Sequence, residues 1–255
     1  MKRTKDVEFR SSSPLERRPS APGGASLGTG AGEAASSWCF PRRGALPTPR
    51  LEGFRLSSRA GEALAGLLPL LGCGEEAAAL AFDRLAAGQG DDPAARRALR
   101  KIGVEEATHA ALLSAVAGAL PPPPLIAGRL EAARRFHRGL AQGDVTDHLA
   151  RIAATDAAVC TILARLARPG TPLAGDAVLA AVLRRIQTDE AGHVVVSRDL
   201  ALQRREHGLA DVAAPARRAL ASLLSLVADE LEALAFDPSW LETLIARLPA
   251  GLFGG

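Results

Sequence analysis

The chain has 255 residues, which fits one large domain or two small ones. Alanine, leucine and arginine dominate, aromatic residues make up 4%, tyrosine is absent, and valine and isoleucine clusters separated by turn signals are scarce, so an all-α protein is expected. The net charge of +3 comes from arginines interleaved with acids along the whole chain, without an aromatic platform, and this argues for a solvated surface rather than a nucleic-acid footprint.

Up to about residue 55 the chain is basic and rich in serine, proline and glycine, with no sustained apolar period, and reads as a disordered tail. Its Lys2, Arg3 and Lys5 are not followed by an apolar segment before Ser11, and no uncharged apolar run reaches membrane-spanning length. Neither export nor membrane insertion is therefore expected. The cluster Trp38-Cys39-Phe40 reads as a short docking contact or a chance apolar patch. Cys39, Cys73 and Cys160 are odd in number and widely spaced, so neither a disulfide framework nor a thiolate zinc site is implied, and a reducing cytoplasm fits.

Residues 56–255 form the helical domain. Breakers at Gly88 to Pro93, Pro121 to Pro124, Gly143-Asp144, Pro169 to Pro172 and Gly208 divide it into helices at about 57–87, 94–119, 125–142, 144–168, 175–207 and 213–235. Asp92-Pro93 supplies an N-cap followed by proline at the first helical position. The third helix takes the place of the long crossover found in some four-helix bundles.

Two of these helices carry the same motif, Glu106-Ala-Thr-His109 and Glu190-Ala-Gly-His193. Residues three apart share a helix face, so each pair can offer a carboxylate and an imidazole to one metal ion. Glu190 and His193 fall on or beside the apolar stripe of Val178, Val182, Ile186, Val196 and Leu200. Glu106 and His109 fall with Leu99, Ile102, Leu113 and Val116. On the fourth helix, Asp156 lies on the stripe that Val145, Leu149, Ile152, Val159 and Leu163 define. A carboxylate there needs a partner, either a metal or a hydrogen-bonding arginine or backbone group. On the first helix Glu75 shares a face with Ala78, Phe82 and Leu85, while Glu76 points toward the side of Asp83. Glu75 is preferred, with Glu76 open because Pro69 and Gly72 can shift the helical phase. His148, near the edge of the Asp156 stripe, reads as a core-edge histidine.

The order carboxylate, Glu-x-x-His, carboxylate, Glu-x-x-His over residues 57–207 resembles the ferritin-like superfamily of di-iron carboxylate proteins, which includes bacterioferritins and rubrerythrins. The resemblance implies a four-helix bundle with a crossover helix, an extra C-terminal helix, and two iron ions, or manganese, held by Glu75, Glu106, His109, Asp156, Glu190 and His193. It implies that the carboxylates of the first and fourth helices bridge the metals. The implied activity is an oxidoreductase that acts with dioxygen or peroxide on a small substrate, in a chain that can form a homodimer. Iron storage and a metal-free binding scaffold are the alternatives. The chain departs from the family in having aspartate at position 156, no tyrosine for a radical, and no CxxC pairs for a rubredoxin-type module.

Overall fold

The computed structural model describes residues 37–41, 51, 53–123 and 126–254. The expected tail at 1–36, 42–50 and 52 lies outside the described residues. These form an all-helical unit without strands: α1 (Ser58–Ala87), α2 (Pro93–Gly118), α3 (Ala127–Leu140), α4 (Val145–Leu166), α5 (Ala177–Arg204), α6 (Leu209–Leu224) and α7 (Ala228–Ala233), with a single π turn at Leu241–Ile245. The helix starts are built by side-chain caps. Asp92 accepts from the amides of Ala94 and Ala95 at 3.1 and 2.9 Å, Asp144 from Asp147 at 2.8 Å and Asp176 from Leu179 at 2.9 Å. Each such cap is worth about 1 kcal/mol. The expected helix at 213–235 is corrected: it begins earlier, on the left-handed Gly208 (φ 79°), and a 3-10 turn at Ser225–Val227 divides it into α6 and the short α7.

The apolar residues gather in two clusters, and every long helix contributes to both. On α1 the first cluster ends at Cys73 and the second begins at Phe82; on α2 the second ends at Ile102 and the first resumes at Leu113. On α4 the changeover falls between Ala154 and Ala158, and on α5 between Ile186 and Leu200. The alternating order makes α1 antiparallel to α2, as the short loop after α1 requires, and α4 antiparallel to α5. α1 packs along α2 and α4 along α5, α2 touches α5, and α1 and α4 make no comparable contact, so that α3 and α6 lie over the gap between them. The buried Arg217 of α6 donates to the carbonyls of Ala154 on α4 and Leu244 in the π turn at 3.1 and 2.8 Å, fixing the C-terminal segment to the helices.

Residues 37–41 are not detached from this unit. The amides of Trp38, Cys39 and Phe40 donate to the Glu76 carboxylate at 3.0, 2.8 and 3.0 Å. The Trp38 ring occupies the space in which any side chain at position 72 would begin, so only glycine fits there. Leu51, Phe54 and Leu56 also pack on the first cluster. The structure corrects the expectation of no disulfide: Cys39 and Cys73, 34 residues apart, are bonded, and Cys160 alone is a free thiol. Spacing gave no hint of this pairing, because the partners meet only once the segment docks along α1. The membrane expectation also needs amending: α1 is long and apolar enough to span a bilayer, but 67% of its most apolar stretch is buried inside the protein. An apolar core helix meets the same criterion.

Candidate metal centre

A layer of charge separates the two apolar clusters. At the same level of the four long helices, where each passes from one cluster to the other, stand Glu75, Glu106 with His109, Asp156, and Glu190 with His193. All six are buried, with relative exposures of 8% or less. Isolated charges in such a place would cost several kcal/mol each, so the layer needs a compensating partner. The helical phase explains why they meet. α1 continues through Pro69 without a break, so Glu75 keeps its inward face while Glu76, one residue on, turns out to hold the 38–40 segment. The structure thus places Glu75 in the buried layer and Glu76 at the docked segment.

The two imidazoles lie 5.8 Å apart between ring centroids, and the two Glu-x-x-His glutamates stand between them. Glu106 places Oε1 at 3.0 Å from His193 Nδ1 and Oε2 at 3.7 Å from His109 Nδ1. Glu190 places Oε1 at 3.4 Å from His109 Nδ1 and Oε2 at 3.7 Å from His193 Nδ1. Each of these carboxylates therefore offers one oxygen to either side. Glu75 flanks the His109 side, with Oε2 at 3.3 Å from His109 Nδ1. Atoms of Glu75, Glu106, His109 and Glu190 all lie within 4.8 Å of one another, close enough to share one ion. Asp156 and His193 fall outside that tight group, next to Glu106 and Glu190. Glu106 and Glu190 thus lie between the two imidazoles, and Glu75 lies on the His109 side.

Several of these atoms have no hydrogen bond. Glu106 Oε1, His109 Nδ1, Asp156 Oδ2 and His193 Nδ1 are fully buried without a partner, and although Glu106 Oε1 and His193 Nδ1 approach to 3.0 Å they lack the alignment of a hydrogen bond. Four orphaned polar atoms in one buried layer are unusual in a folded interior. Burial, reinforced by Glu106, pushes the Glu75 carboxyl up to about 8. Asp156 is raised well above the usual carboxylate range by burial and by the neighbouring Glu190 and Glu106. Burial opposes the charged form of His193, yet Glu106 and Glu190 outweigh it and raise that imidazole to about 11. His109 is raised in the same way by Glu106, Glu190 and Glu75 against its own burial. Protons thus supply part of the charge balance that a cation would otherwise supply.

Two further carboxylates escaped the sequence reading. His109 Nε2 meets Asp189 Oδ2 at 3.0 Å, and His193 Nε2 meets Glu105 Oε2 at 3.3 Å. Each acid precedes a motif glutamate and reaches across to the histidine of the opposite helix. The signal was present in the sequence, because the repeated unit is five residues long: Glu105-Glu106-x-x-His109 and Asp189-Glu190-x-x-His193. A carboxylate on the outer nitrogen fixes the ring and leaves the inner Nδ1 free to bind a metal. The expected stripe of α5 also needs correction at its start, since Val178 is 48% exposed and Leu179, Leu183 and Ser197 occupy the inner face instead. Val145, the expected start of the α4 stripe, is 39% exposed.

Glu75, Glu106, Asp156 and Glu190 border a cavity of about 90 Å³ between α1 and α4, walled by Leu70, Ile152, Ile162, Leu220 and Leu224. His148 lines this cavity, and burial together with the charges of Arg151 and Arg84 lowers it to about 4, so it stays neutral. Comparisons of the chain with protein-family models, with curated proteins and with solved structures gave no match.

Proposed function

We propose that this protein is a ferritin-like four-helix bundle, α1, α2, α4 and α5 with α3 as the crossover, which holds two iron or manganese ions and works as an oxidoreductase toward dioxygen or peroxide. The observation that carries this reading is the pair of inward Nδ1 atoms, each with its Nε2 on a carboxylate and both flanking the same two glutamates. The donor set suits such ions: four carboxylates balance two divalent charges, and carboxylate with imidazole favours iron and manganese over softer metals.

In this reading Glu75, Glu106, His109 and Glu190 hold one ion, and Glu106, Glu190, Asp156 and His193 hold the other. A pair of such ions, when bound, supplies redox chemistry that side chains lack. The chain's own residues position and insulate. Asp189 and Glu105 keep the imidazoles oriented, the apolar clusters above and below exclude water, and the raised carboxyls give up protons as cations enter. Access is from the α1–α4 gap, where Gly74, Ala77, Ala78 and Ala81 keep the wall low.

The test is oxygen uptake after addition of ferrous iron to the metal-free chain. The native protein is expected to consume oxygen in proportion to bound iron, and His193→Ala to lose most of that uptake. Equal uptake by both proteins, matching free iron in buffer, would remove the oxidoreductase reading.

A further inference from the structure

The segment at 37–41 docks on the weakest stretch of α1. Between positions 69 and 74 this helix carries Pro69, Gly72 and Gly74, directly before Glu75. Proline removes a backbone hydrogen bond from a helix interior, and glycine holds helical backbone poorly. α1 nevertheless runs through the stretch without a break. Contacts from outside brace it. Trp38 fills the space beside Gly72, Cys39 is bonded to Cys73, and Glu76 accepts from the amides of Trp38, Cys39 and Phe40. α3 closes over the same place: Arg134 Nε donates to the Cys39 carbonyl at 3.2 Å, and the His137 ring lies 3.6 Å from the point where a side chain at Gly74 would begin. Glu75, a member of the carboxylate layer, thus stands at the end of a helical stretch braced by residues distant in sequence.

The disulfide is the covalent member of this brace, and the member that a chemical reaction can remove and restore. Cys73 is wholly buried, whereas Cys39 is half-buried, so an attacking thiolate reaches the bond from the Cys39 side. We propose that Cys39–Cys73 is a thiol–disulfide exchange site for a dithiol reductant, and that its oxidation state sets how firmly α1 holds Glu75.

In the exchange, one thiolate of the reductant attacks Cys39 Sγ, the Cys39–Cys73 bond breaks, and the Cys73 sulfur leaves and takes up a proton. The second thiolate of the reductant attacks its own sulfur in the mixed disulfide, and the Cys39 sulfur leaves and takes up a proton. Two electrons pass to the protein, two protons follow, and the reductant ends as a cyclic disulfide. The bond joins residues 34 apart in sequence. The entropy of closing a loop of that length limits its effect on docking to a factor of roughly 500. The Glu76 and Arg134 hydrogen bonds remain after reduction, so the segment still docks but opens more often. Each opening leaves the stretch with Pro69, Gly72 and Gly74 unsupported. The consequence for a bound ion rests on the di-metal reading, because Glu75 is one of its ligands there; the exchange site itself needs no ion.

Amide hydrogen exchange of the metal-free full chain tests this, with the native protein compared before and after treatment with dithiothreitol and with untreated Cys39→Ser. Dithiothreitol is expected to open the bond in the folded protein, shown by two newly alkylated cysteines. The amides of Trp38, Cys39 and Phe40 should then exchange at least tenfold faster, within the limit of roughly 500. Those of α1 between 72 and 76 should follow, and Cys39→Ser should behave as the reduced protein does. Amides of α5 should keep their protection in every sample, which reports that the fold is intact. A bond that dithiothreitol leaves closed, unchanged exchange at 38–40, or faster exchange there with α1 unchanged would each overturn the proposal. With iron loaded, Cys39→Ser should lose it to a chelator about tenfold faster than the native protein, the lower limit for loss of a support outside the ligand shell. Equal loss would overturn the link to Glu75. A chain that shows the exchange changes but binds no iron loses the metal centre and keeps the exchange site. One that binds iron without those changes does the reverse.

Discussion

Replacing Asp156 by Asn separates a metal ligand from a buried structural acid. In the metal-free protein burial and the charges of Glu190 and Glu106 raise Asp156 and favour its neutral form, and its Oδ2 has no hydrogen-bond partner to lose. Asparagine then replaces one neutral group by another, and the metal-free stability should move by no more than about 1 kcal/mol. With metal the result differs. Iron at about 1,000 times its dissociation constant stabilises the native state by about 4 kcal/mol. Loss of an anionic ligand should weaken binding at least as much as loss of an outer partner, about 10–100-fold. At the hundredfold limit the metal-induced stabilisation falls to about 1.4 kcal/mol. For a helical domain of this size each kcal/mol shifts the melting temperature by about 2–4 °C, so a metal-induced rise of about 8–16 °C should shrink to about 3–6 °C. Melts of both proteins with and without ferrous iron measure this. An undiminished rise in Asp156→Asn would refute the ligand role and leave the orphaned Oδ2 without an explanation.

The outer carboxylates give a second expectation: Asp189→Ala and Glu105→Gln should each reduce metal affinity about 10–100-fold while the fold is kept. Competition against a chelator measures this, and unchanged affinity in both would show that the Nε2 contacts are incidental. The pH dependence follows from His148, whose folded-state value is lowered to about 4 by burial and by Arg151 and Arg84. A lowered histidine contributes stability above its unfolded value near 6.5 and loses it as pH falls toward 4, by at most about 3 kcal/mol. Metal-free His148→Gln should therefore lose less stability than the native protein between pH 6.5 and 4, and parallel denaturation profiles would contradict this.

The long helices were legible because their breakers are strong and their caps are side chains: Asp92, Asp144 and Asp176 each satisfy the amides that a helix start leaves open. The buried placement of all six expected site residues was legible for a related reason, since a fixed helical period carries a residue's face along the chain. The position of Glu106 between the two histidines was not, because which carboxylate lies there depends on the distance between helices. Asp189 and Glu105 were overlooked since a period analysis assigns acids beside the stripe to solvent, whereas the close approach of α2 to α5 lets each reach the other helix's histidine. The disulfide and the Glu76 anchor were invisible for another reason. Both join a segment without periodicity to α1, and no local pattern records such a contact.

Metal analysis of the purified full chain tests the central claim most directly. Protein reconstituted with ferrous iron under exclusion of oxygen and freed of unbound metal should retain close to two ions per chain, with His109→Ala and His193→Ala each retaining clearly less. Native protein that holds no iron or manganese, or variants that keep the full complement, would contradict the account.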